Sequence, residues 1–136
     1  MTGPHRLAIR VYYEDTDAGG IVYHANFLRF AERGRTEWLR SRGMDHPTLQ
    51  ERFGLHFAVR RCDVVFLAPA RLDDEISVET WSEGIDGARV RVRQRVLEAE
   101  RELATLAVEL VLVNHAMRPV RVPFPLHDIL APSMGT

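Results

Sequence analysis

The chain has 136 residues, of which 46% are hydrophobic and 27% are charged, a balance typical of a globular domain and not of a disordered chain. The formal net charge of −1 gives no overall basic field, so nucleic-acid binding is not expected, and the longest apolar run, at 103–113, is too short to span a membrane. The lone cysteine, Cys62, excludes an intramolecular disulfide and favours a reducing compartment, so we expect one cytoplasmic domain over residues 1–136.

The first two predicted elements are a strand and a long helix. Residues 7–13 alternate weakly between polar and apolar side chains, as a strand does. Over residues 23–42 apolar side chains recur at steps of three and four, which predicts an amphipathic helix, with Asn26 as its N-cap and Gly43 just beyond its C-terminal end. Gly34 lowers helix propensity, so we expect a packing reason for it, namely close approach of the helix to a sheet.

The rest of the chain is predicted to form strands. A polar connection that contains Pro47 follows the helix, and an Asp86-Gly87 pair predicts a tight hairpin turn. Alternation and apolar runs predict four strands, at 57–67, 74–82, 88–98 and 103–114, before a short helix at 124–130 and a C-terminal tail at 126–136. Cys62 lies within the first of these strands, where we expect it to be buried.

The order of strand, long helix and four strands predicts an α+β fold in which one antiparallel five-stranded sheet wraps around one long central helix. The helix would bury its apolar stripe against one face of the sheet. An open sheet of this kind has edge strands with unpaired backbone groups, which proteins tend to cover or pair. We therefore expect a homodimer or a larger assembly.

The segment DTDAGGIVYHAN, residues 15–26, combines features that acyl-transfer chemistry needs. Carboxylates follow the first strand, Gly19 and Gly20 let the backbone come close to a substrate, and the start of the helix supplies unpaired N–H groups. A carboxylate can act as a base or a nucleophile, while N–H groups hold the negative charge that builds on a carbonyl oxygen under attack. One interpretation is hydrolysis of an ester or thioester, and the other is a turn or helix-capping role for the carboxylates.

This segment and the stretch FLRFAERGRTEWL, residues 27–39, resemble the hotdog-fold acyl-CoA thioesterases. The similarity is greatest to the 4-hydroxybenzoyl-CoA thioesterase-like branch, and within it to the YbgC-like, Tol–Pal-associated enzymes. The resemblance implies the hotdog fold, hydrolysis of acyl-CoA without a cofactor, and a dimer or a dimer of dimers (a homotetramer) with active sites between subunits. His24-Ala25 stands where some relatives have Tyr-Pro, which implies aliphatic acyl groups rather than 4-hydroxybenzoate.

The same resemblance implies roles for individual residues. Asp17 is implied to be the catalytic carboxylate, either as a nucleophile that forms a mixed anhydride or as a general base that activates water. Asp15 is expected to be a hydrogen-bonding partner, and the His24 imidazole is a further candidate for the chemistry. The thioester oxygen is expected to bind to backbone N–H groups drawn from Gly19, Gly20, Tyr23 and His24.

Two further assignments concern the helix and the fourth strand. Another hotdog branch carries its acidic residue on the central helix, which here would be Glu32 or Glu37, although both can simply pair with neighbouring arginines. Arg89 and Arg91 follow the predicted hairpin turn and are expected to contact the phosphates of coenzyme A. The six histidines are scattered without a metal-binding motif, so no metal site is expected.

The leading hypothesis is therefore a hydrolase of acyl-CoA thioesters with short- to medium-chain or small aromatic acyl groups. Two other functions stay open. A dehydratase acting on acyl-CoA or acyl carrier protein could use the same fold, and a positioned histidine such as His24 would favour it. A non-catalytic protein that binds acyl groups or acts as a scaffold could also retain the fold, and its ligand would stabilise it without turnover.

Overall fold

One antiparallel sheet of five strands, packed against one long helix, forms the body of the molecule. The computed structural model describes residues 3–132. The strands are β1 (His5–Arg10), β2 (Leu55–Phe66), β3 (Glu75–Asp86), β4 (Arg89–Glu98) and β5 (Arg101–Asn114), and the α-helices are α1 (His24–Ser41), α2 (His46–Phe53) and α3 (His127–Leu130). Across the sheet the order is β1-β3-β4-β5-β2, and all neighbouring strands are antiparallel. The predicted α+β fold is confirmed.

α1 approaches the sheet most closely at Gly34. A Cβ atom added there would lie 2.5 Å from Cγ1 of Val78 on β3 and 3.1 Å from Nε2 of Gln94 on β4. Because non-bonded carbon atoms cannot come that close without displacement, only glycine allows the observed helix–sheet spacing. The packing reason predicted for Gly34 is confirmed.

The end of α1 was predicted correctly, but α2 was not predicted. Gly43 follows α1 with a φ of 85°, in the left-handed region where glycine is favoured. The polar connection then forms α2, in which the Asp45 carboxylate caps the first turn by accepting a hydrogen bond from the Thr48 N–H at 2.8 Å. Pro47 lies in that first turn, and Gly54, with a φ of 66°, ends the helix. Proline at the start of a helix and glycine at its end are the usual positions for these residues.

Two strand ends differ from the prediction by three residues or more. β1 ends at Arg10, since the chain forms a short 3-10 helix, Tyr13–Asp15, instead of extending to residue 13. β3 continues to Asp86 through a β-bulge beside Gly84, so the strand ends four residues later than predicted.

The C-terminal segment packs against β3. The short helix predicted at 124–130 is present as a 3-10 turn, Phe124–Leu126, followed by α3. The Ser82 hydroxyl donates a hydrogen bond to the Leu130 carbonyl at 2.7 Å, and Leu126 and Leu130 are buried. Of the predicted tail, residues 133–136 lie outside the described residues.

β2 is an edge strand that α1 covers only in part. It pairs with β5 on one side, and several of its apolar side chains are about half exposed: Val59, Val65 and Phe66. Cys62 is exposed as well, so the prediction that it is buried was wrong. Cys62 does lie in a strand, as predicted, but residues 59–63 of β2 are all exposed.

Between residues 3 and 132, no helix is both long and apolar enough to cross a membrane.

Candidate active site

Asp17 begins a tight turn between the 3-10 helix and α1. Its own N–H donates to the Ile21 carbonyl at 2.9 Å, and the Gly20 N–H donates to the Asp17 carbonyl at 3.0 Å. The Gly19 N–H donates to Oδ1 of Asp17 at 2.8 Å, which fixes the direction of the carboxylate. The second carboxylate oxygen has no hydrogen-bond donor among residues 3–132, and the side chain is exposed in the single chain. The turn therefore holds Asp17 in place while leaving an oxygen free to react.

A second carboxylate, Asp15, joins this turn to the start of α1. Asp15 is buried, and its two oxygens accept hydrogen bonds from the Tyr12 N–H at 2.8 Å and from Nδ2 of Asn26 at 2.9 Å. Its carbonyl accepts the Tyr23 N–H at 3.0 Å. Asp15 is thus a structural hydrogen-bonding partner, as expected, and all of its acceptors are directed at the protein.

Asn26 is not the N-cap of α1, and that prediction was wrong. The helix begins at His24, so the N-cap position belongs to Tyr23, whose side chain makes no capping hydrogen bond. The Asn26 side chain is in the first turn, where it bonds to Asp15 instead. The carboxamide therefore anchors the preceding loop and does not satisfy the helix donors.

Because no side chain caps α1, backbone donors remain at its N-terminus. No hydrogen-bond acceptor among the described residues reaches the N–H groups of His24 and Ala25. These donors carry the partial positive charge of the helix dipole and can bind an oxyanion. The other predicted donors are already used: those of Gly19 and Gly20 close the Asp17 turn, and that of Tyr23 bonds to Asp15. The structure therefore narrows the oxyanion candidates to His24 and its neighbour Ala25.

A cleft between α1 and β2 runs away from this helix end. Its β2 wall is the row of side chains that points to the helix side of the sheet, and their cross-strand partners on β5 belong to the core. The row consists of Phe66, Val64, Cys62, Val59 and Phe57, paired with Ala104, Leu106, Val108, Leu110 and Leu112. On α1, steps of three and four residues place His24, Leu28, Glu32 and Arg35 on one face. We call the space between these two rows the α1–β2 cleft.

Aromatic side chains form the end of the α1–β2 cleft that lies at the start of α1. The ring centroid of Phe66 lies 6.1 Å from that of His24 and 5.7 Å from that of Phe27. The His24 ring also contacts Tyr23, with centroids 4.5 Å apart. The His24 imidazole is therefore held at the mouth of the cleft, beside the free N–H groups.

The far end of the cleft widens into a cavity of about 370 Å³. Its apolar wall includes Trp38, Leu39 and Phe57, and its polar groups include Glu32 and Arg35. Its other polar lining residues are Thr36, His46 and His56. A cavity of this size that combines apolar walls with convergent polar groups is typical of a small-molecule site.

Arg35, next to Gly34 on α1, was not predicted to belong to the site, yet its side chain contacts the sheet. The side chain is half-buried, and its Nη1 donates to Oε1 of Gln94 at 3.0 Å. Burial lowers the pKa of the Arg35 guanidinium, although the nearby Cys62 and Glu32 act in the opposite direction. The signal in the sequence was Gln94, the one polar residue in the row of valines that β4 presents to the helix.

Two predicted site residues lie away from the turn. Arg89 and Arg91 project from the outer face of the sheet, opposite to α1, where the nearest carboxylates are Glu109 at 4.0 Å and Asp86 at 3.9 Å. Of the two helix glutamates, Glu37 forms an ion pair with Arg40, whereas Glu32 lines the cavity. Within the described residues no group of three or more His, Cys, Asp and Glu side chains could hold a metal ion.

Comparisons with known proteins show the family and the fold of the chain. A family model described as the thioesterase-like superfamily matches residues 11–131. The acyl-CoA thioesterase YbgC of Haemophilus influenzae is 41% identical over 116 residues, which covers 85% of each chain. The acyl-CoA thioester hydrolase YbgC of Escherichia coli O6:H1 is 44% identical over 108 residues, 79% of each chain. A crystal structure of a probable thioesterase from Bartonella henselae superposes with a TM-score of 0.85 at 38% identity and covers 89% of this chain and 100% of that one.

Proposed function

The chain belongs to the thioesterase-like superfamily and has its hotdog fold, and we propose how its residues carry out the hydrolysis of acyl-CoA thioesters. The family match covers nearly the whole described chain, and the curated relatives at 41–44% identity are acyl-CoA thioester hydrolases. The protein is accordingly an acyl-CoA thioesterase. The single observation that supports our mechanism is an anchored carboxylate, Asp17, seven residues before N–H groups at the start of α1 that have no acceptor among residues 3–132.

In the proposed mechanism Asp17 starts the reaction, and the N-terminus of α1 stabilises the negative charge that forms on the substrate. The free carboxylate oxygen either attacks the thioester carbon or removes a proton from an attacking water. The negative charge that develops on the carbonyl oxygen is held by the N–H groups of His24 and Ala25. The thiolate of coenzyme A then leaves without a proton donor, because a thiol pKa of about 8.5 makes the thiolate a good leaving group. In the nucleophilic route, water hydrolyses the resulting mixed anhydride and regenerates Asp17.

The His24 imidazole has a supporting role in this proposal. It lies against Phe66 and Tyr23 at the mouth of the α1–β2 cleft. From there it can contact the substrate beside the thioester, while its backbone N–H binds the oxyanion. A role in proton transfer is the feature that would favour a dehydratase instead.

We further propose that the active unit is a homodimer, or a dimer of dimers, built through β2. This strand is the apolar edge of the sheet, with Val59, Val65 and Phe66 about half exposed. The Asp17 side chain and the α1–β2 cleft are both open in a single chain. A second copy paired with β2 would satisfy the edge and would enclose a site that is otherwise exposed to water.

As its single cysteine suggests, we place this one-domain enzyme in the cytoplasm.

Arg89 and Arg91 remain our candidates for the phosphates of coenzyme A, with a test in the KM for acyl-CoA. Both project from the outer face of the sheet, so this role requires the nucleotide to reach that face. We expect the double variant Arg89→Ala/Arg91→Ala to raise KM by about tenfold with little change in kcat, since phosphate pairing contributes equally to ground and transition states. An unchanged KM would remove these residues from the site.

A thiol-release assay over saturated acyl-CoAs of increasing length tests the function as a whole. A hydrolase releases free coenzyme A from saturated short- and medium-chain substrates. A dehydratase requires a hydroxyl or a double bond in the acyl chain and releases no thiol from these compounds. A non-catalytic acyl-binding protein raises its melting temperature with acyl-CoA but releases no thiol. We expect release, with turnover highest for one range of chain lengths.

A further inference from the structure

Arg35 is a half-buried cation that forms no ion pair in the part of the chain that the structure describes, although Glu32 lies near enough to interact with it. Its single hydrogen bond goes to the neutral Gln94 side chain, and none of the carboxylates in residues 3–132 forms an ion pair with it. Removing a charge from water without a partner is unfavourable. A guanidinium has five N–H donors, so most of its donors are available to a ligand.

The side chain is held in position from behind. Nε2 of Gln94 donates to the Ala31 carbonyl at 2.8 Å and to Oγ1 of Thr80 at 2.9 Å. These two bonds leave Oε1 of Gln94 directed at Arg35. Gln94 and Thr80 are buried, so this support is rigid. Arg35 is therefore a preorganised donor and not a flexible surface side chain.

The free face of Arg35 lines the cavity at the far end of the α1–β2 cleft. Arg35 lies eleven residues after His24, which places the two backbone positions about 16 Å apart along the helix axis. The β2 wall between these points is apolar, from Phe66 to Val59. An acyl chain whose thioester sits at the helix start can thus extend along the cleft toward Arg35.

We propose that Arg35 binds a carboxylate at the far end of the acyl group, so that ω-carboxyacyl-CoA thioesters are preferred substrates. A carboxylate supplies the missing opposite charge and matches the planar guanidinium with two parallel hydrogen bonds. Glu32 lines the same cavity, but it is exposed and forms no ion pair with Arg35, so it leaves the guanidinium open to the ligand. This inference rests on the proposed function and adds the substrate class to it.

The test compares substrates of equal length with and without the terminal carboxylate. We measure kcat/KM for suberoyl-CoA against octanoyl-CoA and for adipoyl-CoA against hexanoyl-CoA. In wild type we expect the ω-carboxy member to be the better substrate in at least one pair. In Arg35→Gln we expect kcat/KM for that member to fall by about 10- to 150-fold, as loss of a charged hydrogen bond predicts, while the saturated member changes by less than about threefold.

Two further variants separate recognition from structure. Arg33→Gln removes the same charge from the same helix, but Arg33 lines a groove against β1, so its substrate preference should match wild type. Arg35→Lys keeps the charge without the bidentate geometry and should give an intermediate preference. A melting temperature and a sedimentation profile are recorded for each variant.

The outcomes are distinct from those of the hydrolase test. Absence of thiol release from all four substrates would contradict the proposed function itself. Release without a wild-type preference for either ω-carboxy substrate would overturn only the role of Arg35. The same conclusion follows if Arg35→Gln lowers both members of a pair equally, or if it alters only the oligomeric state, which would assign Arg35 to a carboxylate of a second copy.

Discussion

Asp15 and Asp17 are two residues apart, but their surroundings give them different chemistry. Both oxygens of Asp15 accept hydrogen bonds from the protein, and the residue is buried. Asp17 has one oxygen fixed by the Gly19 N–H and one oxygen free. The first carboxylate therefore positions the loop, and the second remains available for the substrate.

The Asp15–Asn26 hydrogen bond gives a pH-dependent prediction. In Asn26→Asp, two buried carboxyl groups would lie within hydrogen-bond distance, which raises the pKa of one of them in the folded state. At neutral pH that group must either ionise beside its neighbour or bind a proton. For a pKa rise of about two, either one lowers the free energy of unfolding by about 3 kcal/mol. The loss of stability should shrink as the pH falls toward the pKa of the carboxyl group in the unfolded chain, because the protonated form is then present in both the folded and the unfolded state. Urea unfolding at several pH values measures this change.

Ala25→Asp is the matched control, because it places the same charge one residue earlier in the first turn of α1. There it faces the positive end of the helix dipole and has no buried carboxylate as a partner. We expect no recovery of stability in acid for this variant. If the stability difference between Asn26→Asp and wild type did not change with pH, the side chains of residues 15 and 26 would not be in contact.

Residue identity was enough to predict some parts of the site and not others. Asp15 as a hydrogen-bonding partner could be expected from its place beside a turn. The true N-cap and the donors left free at His24 and Ala25 could not be predicted, because both depend on the exact residue at which the helix begins. Arg35 was missed for a different reason: its partner Gln94 is 59 residues away, and only the sheet brings the two together.

At the level of elements, the close contact between α1 and the sheet depends on the absence of a side chain at Gly34. Gly34→Ala would place a carbon 2.5 Å from Val78 Cγ1. Overpacking of this kind typically costs about 1–3 kcal/mol, and we expect that loss in the free energy of unfolding measured in urea. The double variant Gly34→Ala/Val78→Ala removes the obstructing methyl and should be less destabilised than the sum of its single variants.

Arg33→Ala, on the exposed side of the same turn, is the control and should change stability by less than about 0.5 kcal/mol. If Gly34→Ala were as stable as wild type, the spacing between α1 and the sheet would have to be larger than the one observed at Gly34.

Long periodic elements were predictable, whereas short or irregular ones were not. The eighteen residues of α1 show a clear helical period, and β4 and β5 show clear alternation and apolar runs. α2 has only eight residues, and its capping signals, Asp45, Pro47 and Gly54, resemble those of a loop when no apolar period accompanies them. The extension of β3 depends on a bulge beside Gly84, which local sequence does not distinguish from a turn.

At the level of the whole molecule, the apolar edge at β2 predicts that activity depends on assembly. Val65→Lys places a charge on that edge, and edge charges disfavour strand pairing between chains. We expect wild type to sediment as a dimer or a dimer of dimers, and the variant to dissociate at higher protein concentration with a matching loss of thiol release. Met117→Lys is the control, since Met117 is also exposed but lies beyond β5. A monomeric Val65→Lys enzyme with full activity would show that one chain suffices.

Our proposal that Asp17 is the catalytic carboxylate is tested most simply by measuring kcat for thiol release by Asp17→Asn and Glu32→Gln. Glu32 is the appropriate comparison because it lines the cleft cavity and corresponds to the alternative position of the acid on the helix. We expect Asp17→Asn to lose about 10²- to 10⁴-fold in kcat, the range for a positioned acid–base group, while Glu32→Gln retains turnover. Near-wild-type turnover by Asp17→Asn, together with loss of turnover in Glu32→Gln, would assign the catalytic carboxylate to α1 and not to the Asp17 turn.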